Sequence, residues 1–149
     1  MSAHNISGSG GLRQAAVLAW LRLARVYQKI DGHSERRFRA AGLNTAQFDV
    51  LATVGGHSGI TQQELAKTLL VTKGNISQLL TRMERQGLIE RRQEGRRNCL
   101  SLTEQGRALY AALVPQHEAY IAGLFAMLAP DEQAELLRLL RKLDRSLEP

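Results

Sequence analysis

Apolar residues in this chain recur at three- and four-residue steps, the spacing of a helix face, except over one stretch around residue 90. Met1–Gly11 is polar and rich in glycine and serine, and predicts a mobile tail. From Leu12 to about Ala40, Leu18, Leu21, Ala24 and Val26 alternate with basic residues, which predicts a long first helix ended by Gly42. Asn44 with Gln47 is a capping pattern. Phe48, Leu51 and Val54 follow on the inward face of a second helix, which Gly55, Gly56 and Gly59 close. Thr61 and Glu64 supply both halves of a capping box, with Leu65, Ala66 and Leu69 on one face. Thr72 opens the next helix, whose buried stripe is Ile76, Leu79, Leu80 and Met83, and Gly87 stands at its C-terminal glycine position.

There the period changes. Leu88–Gln93 and Arg97–Leu102 predict two strands about a Glu94-Gly95-Arg96 turn, where glycine supplies positive φ. Gly59-Ile60 is placed to add a short third strand. Thr103 then caps a helix reaching about Leu128, with Pro115 inside it to kink it, and Pro130 suits the first turn of a last helix. That helix carries Leu136, Leu137, Leu139, Leu140, Leu143 and Leu147, more leucine than one side of a surface helix buries, and predicts cover by a second chain. Two helices, a tight turn and a hairpin make a winged helix-turn-helix, a device for reading duplex DNA. The fold expected is mainly α, with a small β-wing and N- and C-terminal dimerisation helices. Residues 12–149 make one domain, with the winged-helix lobe at 42–102 and the dimerisation helices at 12–40 and 103–149.

Charge sharpens this picture. The helix opened by Thr72 has a second face of Lys73, Gly74, Asn75, Ser77, Gln78, Thr81, Arg82 and Arg85, small, polar or basic groups suited to base edges and phosphates. A solvated amphipathic helix would show much the same face, but the hairpin beside it is basic too. From Lys73 to Arg97 there are 7 basic and 3 acidic residues, whereas 103–149 carries 5 basic and 7 acidic, so the terminal helices are not the polyanion-binding part. The whole chain of 149 residues has net charge +6, which suits nucleic acid or an anionic surface.

The stretch ITQQELAKTLLVTKGNISQLLTRMERQGLIER, the EGR at the hairpin tip and LSLTEQG at Leu100–Gly106 together resemble the MarR family of bacterial winged-helix regulators, as does GLNTAQFDVL at Gly42–Leu51. The likeness runs from about Leu12 to Leu147. Where that family's wing usually has Asp-x-Arg, this chain has Glu94-Gly95-Arg96, which keeps the carboxylate on a longer arm to pair with the wing arginine. The resemblance implies a homodimeric repressor bound to double-stranded DNA at a near-palindromic operator. Lys73, Asn75, Ser77, Gln78 and Arg82 would read the DNA from the recognition helix, and Thr72 would touch phosphate while capping it. Arg96 would be the wing-tip contact, with Arg97 and Arg92 supporting. The resemblance also implies release by a small anionic, often phenolic, effector. Trp20 and Tyr27, two turns apart on the first helix, are candidates to line its site, with Arg25 near enough to receive an anion, although core or interface packing explains the aromatic pair more simply. The alternative is a winged-helix protein-interaction module that has lost DNA binding, whose recognition face would be acidic or apolar.

Other chemistry finds little support. Asp31 and Glu35, with His33 between them, read as a solvated charged face rather than acid-base machinery. His4, His33, His57 and His117 show no metal-ligand spacing, and no enzyme activity, cofactor or metal is expected. A single cysteine excludes an internal disulfide framework and fits the cytoplasm. Nearby arginines are placed to lower the Cys99 pKa, but redox-sensing members of the resembled family carry their cysteine in the first helix, where this chain has none. No apolar run is long enough to cross a membrane.

Overall fold

The computed structural model describes residues 7–148. Among them the order is α1 (Ser7–Ala40), α2 (Thr45–Gly56), α3 (Gln62–Leu69), α4 (Lys73–Arg85), β1 (Ile89–Glu94), β2 (Arg97–Leu102), α5 (Glu104–Phe125) and α6 (Pro130–Ser146). The core lies in the middle of the chain. Leu51 and Val50 of α2, Leu65 of α3, Ile76, Leu80 and Met83 of α4, Ile89 of β1 and Leu100 of β2 are fully buried. Phe38, near the end of α1, stacks on Phe48 of α2 with ring centroids 3.9 Å apart, and so ties the long helix to this lobe.

Local chemistry starts each element. The Asn44–Gln47 and Thr61–Glu64 capping boxes are both closed. Thr72 caps α4 by accepting the Asn75 N–H at 3.2 Å. The tight turn between α3 and α4 is made by Leu70, at φ 55° and ψ 41°. The Val71 N–H donates to the Ala66 carbonyl at 3.0 Å, which closes the turn and leaves the Leu70 side chain 92% exposed. Thr103 caps α5 and donates its hydroxyl proton to the Gly87 carbonyl, while its N–H donates to the Leu88 carbonyl at 3.1 Å. Gly106 lies where a Cβ would stand 2.0 Å from the Leu88 oxygen, so the start of α5 rests directly on the backbone that leads into the wing.

Several expectations need correction. α1 already includes residues 7–11, because adding a residue to a formed helix needs no new nucleation, and residues 1–6 of the predicted tail lie outside the described residues. The third strand is a single bridge, Thr61 to Cys99, with the Leu100 N–H donating to the Ile60 carbonyl at 2.9 Å. α5 stops at Phe125, where the Gln133 amide donates to the Phe125 and Leu128 carbonyls at 2.9 and 3.0 Å and satisfies the helix end. The leucines of α6 fall within one arc, opposite Arg138, Arg141, Lys142 and Arg145, given about 100° per residue. Leu136, Leu137 and Leu140 line a groove between α5 and α6, and Leu137, Leu139, Leu143 and Leu147 are exposed.

Candidate nucleic-acid interface

The buried stripe of α4 leaves Asn75, Gln78, Arg82 and also Arg85 on the opposite, exposed face, within an arc of about 80° at helical spacing. Arg85, which the sequence puts on this face but not among the residues expected to read the DNA, completes it. Lys73 projects from the first turn toward the wing. It lines a cleft of about 330 Å³ with Arg96, Arg97 and Asn98 of the hairpin and with Gln62 and Ile76. Among the described residues, none of Lys73, Arg96 and Arg97 takes part in an ion pair. Three free cations therefore face one opening beside the N-terminus of α4, where the helix dipole and unpaired N–H groups also favour an anion.

Not every predicted residue joins this surface. Ser77 is half-buried, and its carbonyl accepts the Thr81 hydroxyl at 2.9 Å. Thr81 in turn accepts a hydrogen bond from Arg91, so it flanks the reading face instead of lying on it. Arg92 is exposed, but it pairs across the hairpin with Cys99 on the sheet face opposite Arg91 and does not line the cleft. Strand alternation could have separated Arg91 from Arg92 in the sequence. What it could not show is the set of partners that Arg91 meets, Glu84, Thr81 and Gln62.

The Glu94 carboxylate does not pair with Arg96. Glu94 shares a sheet face with Cys99, and accepts its Sγ–H at 3.6 Å, whereas Arg96 sits in the turn. Partial burial, the Glu94 charge and this hydrogen bond push the Cys99 thiol above its ordinary range, and the opposing pull of Arg97 is outweighed. The expected lowering by arginines is therefore reversed.

An HTH-type transcriptional regulator of Bacillus cereus, itself uncharacterised, is 38% identical over 132 residues, covering 88% of this chain and 90% of its own length. A model of the MarR family matches residues 41–97, the lobe just described. The chain belongs to the MarR family. It is a transcriptional regulator and not an enzyme. A further relative, the HTH-type transcriptional regulator YkoM of Bacillus subtilis, is 31% identical over 122 residues, 80% of this chain and 79% of that one. In fold, the chain is similar to the transcriptional regulator SlyA, with TM-score 0.79 at 20% identity over 87% of this chain and 93% of that one. It is also similar to Staphylococcus aureus MepR in a DNA complex, with TM-score 0.77 at 24% identity over 85% and 94%.

In this MarR-family chain the candidate effector residues lie apart from the lobe core. Trp20 and Tyr27 share one face of α1, each 64% exposed, but Arg25 is about 200° round the helix from Tyr27 and faces away. Asp31, then partial burial, then Asp49 push the Tyr27 hydroxyl above its ordinary range, so carboxylates rather than an arginine set the charge beside it. Among the described residues no helix is long and apolar enough to cross a membrane.

Proposed function

We propose that this chain binds double-stranded DNA as a two-fold homodimer and represses transcription from a near-palindromic operator. The observation that carries the reading is the exposed outer face of α4 together with the three unpaired cations at the wing cleft. Gln78 offers an amide that can bridge the N6 and N7 edge of adenine, and Arg82 and Arg85 flank it. Thr72 keeps its hydroxyl proton free for a phosphate, since the oxygen is used only as an acceptor in the cap. Arg96 and Arg97 extend the contact to the neighbouring backbone or minor groove. The alternative of an interaction module without DNA binding would need an acidic or apolar face here, and this one is neither.

Dimerisation is supported by what the monomer leaves uncovered. Val17, Leu18, Trp20 and Leu21 on α1, and Leu137, Leu139, Leu143 and Leu147 on α6, are all exposed. A dimer would set two copies of α4 about 34 Å apart, in successive major grooves. Bound at a promoter, such a dimer would block polymerase, and the protein would act in the cytoplasm. Release by a small aromatic effector belongs to the same proposal. Asp31 and Asp49 beside Tyr27 make that face poor for an anion, so an uncharged aromatic suits Trp20 and Tyr27 better.

The test is footprinting on fragments that include the promoter of the protein's own gene. The expected result is a protected near-palindrome with half-sites about 10 base pairs apart. Uniform weak binding with no protected site would overturn it. Leu143→Glu should leave a monomer by light scattering and lose the footprint. Quenching of Trp20, the one tryptophan, by an effector should follow the same concentration dependence as loss of DNA affinity.

A further inference from the structure

The hairpin is held unevenly. β2 is anchored along its outer edge, where the Leu100 N–H donates to the Ile60 carbonyl at 2.9 Å and Cys99 bridges Thr61. Among the described residues, β1 has no strand on its other side. Its inner face runs Ile89, Arg91, Gln93, opposite Leu102, Leu100 and Asn98. Ile89 and Leu100 are fully buried, so an apolar residue would be the ordinary choice between them. The chain has Arg91 there instead, and its side chain is only 22% exposed. Its Nε donates to the Glu84 carboxylate at 2.6 Å, one terminal nitrogen donates to Thr81 Oγ1 at 2.8 Å, and the other reaches Gln62 Oε1 at 3.4 Å. One guanidinium thus joins the free strand of the wing to α4 and to the first turn of α3.

We infer that Arg91 is a positioning residue for DNA reading: it sets the angle of the wing against α4, so that Arg96 and Arg97 reach the DNA while the α4 face sits in the groove. The inference rests on the reading of α4 and the wing as the DNA interface. Its leverage follows from the geometry. From Arg91 to Glu94 the strand rises about 10 Å, so a tilt of about 10° at the root moves the tip by about 2 Å. Polar contacts span only about 0.5 Å of useful donor–acceptor distance, so that displacement removes them. A fork with fixed N–H directions holds an angle as well as a distance, which a lysine ammonium does not.

The test is a double-mutant cycle on operator affinity with Arg91→Gln and Arg96→Ala, joined to amide exchange of the free protein. Arg96→Ala should weaken binding about tenfold in the wild type, but less than about threefold in the Arg91→Gln background, because the wing is already misplaced there. Arg91→Lys should not restore the coupling. In the absence of DNA, amides of Arg92–Arg97 should exchange faster in Arg91→Gln, with those of α2 and α5 unchanged. If Arg91→Gln fails to fold, Thr81→Val combined with Glu84→Gln removes the two α4 acceptors and is put through the same cycle. Additive losses would overturn the inference, and so would wing exchange identical to wild type. A wild-type protein that binds no duplex would instead overturn the DNA reading, while the exchange result still judges the strut.

Discussion

Gly106→Ala is the substitution whose cost the structure defines most closely. A methyl at this position would stand 2.0 Å from the Leu88 carbonyl oxygen and 3.0 Å from its carbon. Both atoms are backbone, so no side chain can swing aside, and the start of α5 must move more than 1 Å away, to about the ordinary contact distance of 3.4 Å. That movement stretches the Thr103 N–H to Leu88 carbonyl bond and the Thr103 hydroxyl bond to Gly87. Overpacking costs about 1–3 kcal/mol and a buried carbonyl left without its donor about 1–3 kcal/mol. Alanine's better helix propensity returns about 1 kcal/mol. The net expectation is a loss of about 1–5 kcal/mol, read from urea unfolding by circular dichroism at one fixed protein concentration, since an oligomer's midpoint depends on it. Gly123 provides the control within the same helix, because a Cβ there meets nothing within 4 Å. Gly123→Ala should stabilise by about 0.5–1 kcal/mol. If both variants unfold at the wild-type midpoint, the rigid contact between α5 and the wing root does not exist in solution.

The turn and the reading face give the remaining predictions. Leu70→Gly should raise stability by about 0.5–1 kcal/mol. It relieves a left-handed backbone at φ 55° and exposes no buried surface, though glycine's freer unfolded state offsets part of the gain; a lower melting temperature would contradict this. Gln78→Ala should cost about 1–3 kcal/mol on the cognate site and relax preference at one position in each half-site, measured by competition with single-substitution operators. Arg96→Ala should weaken cognate and random DNA alike and flatten the slope of log K against log salt by about 0.9 per contact, about twice that for a dimer; an unchanged slope would remove the wing from the interface. Burial first, then Arg37, hold the His117 imidazole below its ordinary 6.5, against the pull of Glu118. The unfolded chain therefore takes up the proton first, so stability should fall as pH drops through 6.5 and level off below the folded value. His117→Phe, packed against Phe38 and Phe48, should flatten that part of the urea midpoint curve, and an equal slope in both proteins would assign it to another group.

The parts of the fold that were legible in the sequence are those determined within a few residues. Asn44, Thr61, Thr72 and Thr103 each cap a helix because the acceptor and the N–H it satisfies are three residues apart. The apolar stripe of α4 and the hairpin register follow from single periods, and Gly95 at φ +62° is where the turn needs it. The same periods place Asn75, Gln78 and Arg82 outward. What they do not decide is the flank of α4. Ser77 and Thr81 are as polar as Gln78 in a helical projection, and only the return of the wing takes them out of the reading face.

That return is carried by separations no local rule spans. Arg91 lies 10 residues from Thr81 and 29 from Gln62. By charge alone, Arg91, Arg92, Arg96 and Arg97 are alike in the sequence. The fold divides them: Arg91 is spent on Glu84 inside the lobe, Arg92 lies outside the cleft, and only Arg96 and Arg97 line it beside Lys73. A cation that already has a carboxylate partner releases no counterion when DNA arrives, because its charge is compensated in the free protein. Of the 7 basic residues between Lys73 and Arg97, those that face the DNA and lack a partner should thus set the salt dependence, and Arg91 should not add to it. Its effect on binding would then be geometric, visible in affinity and in coupling to Arg96 but with no slope increment of its own.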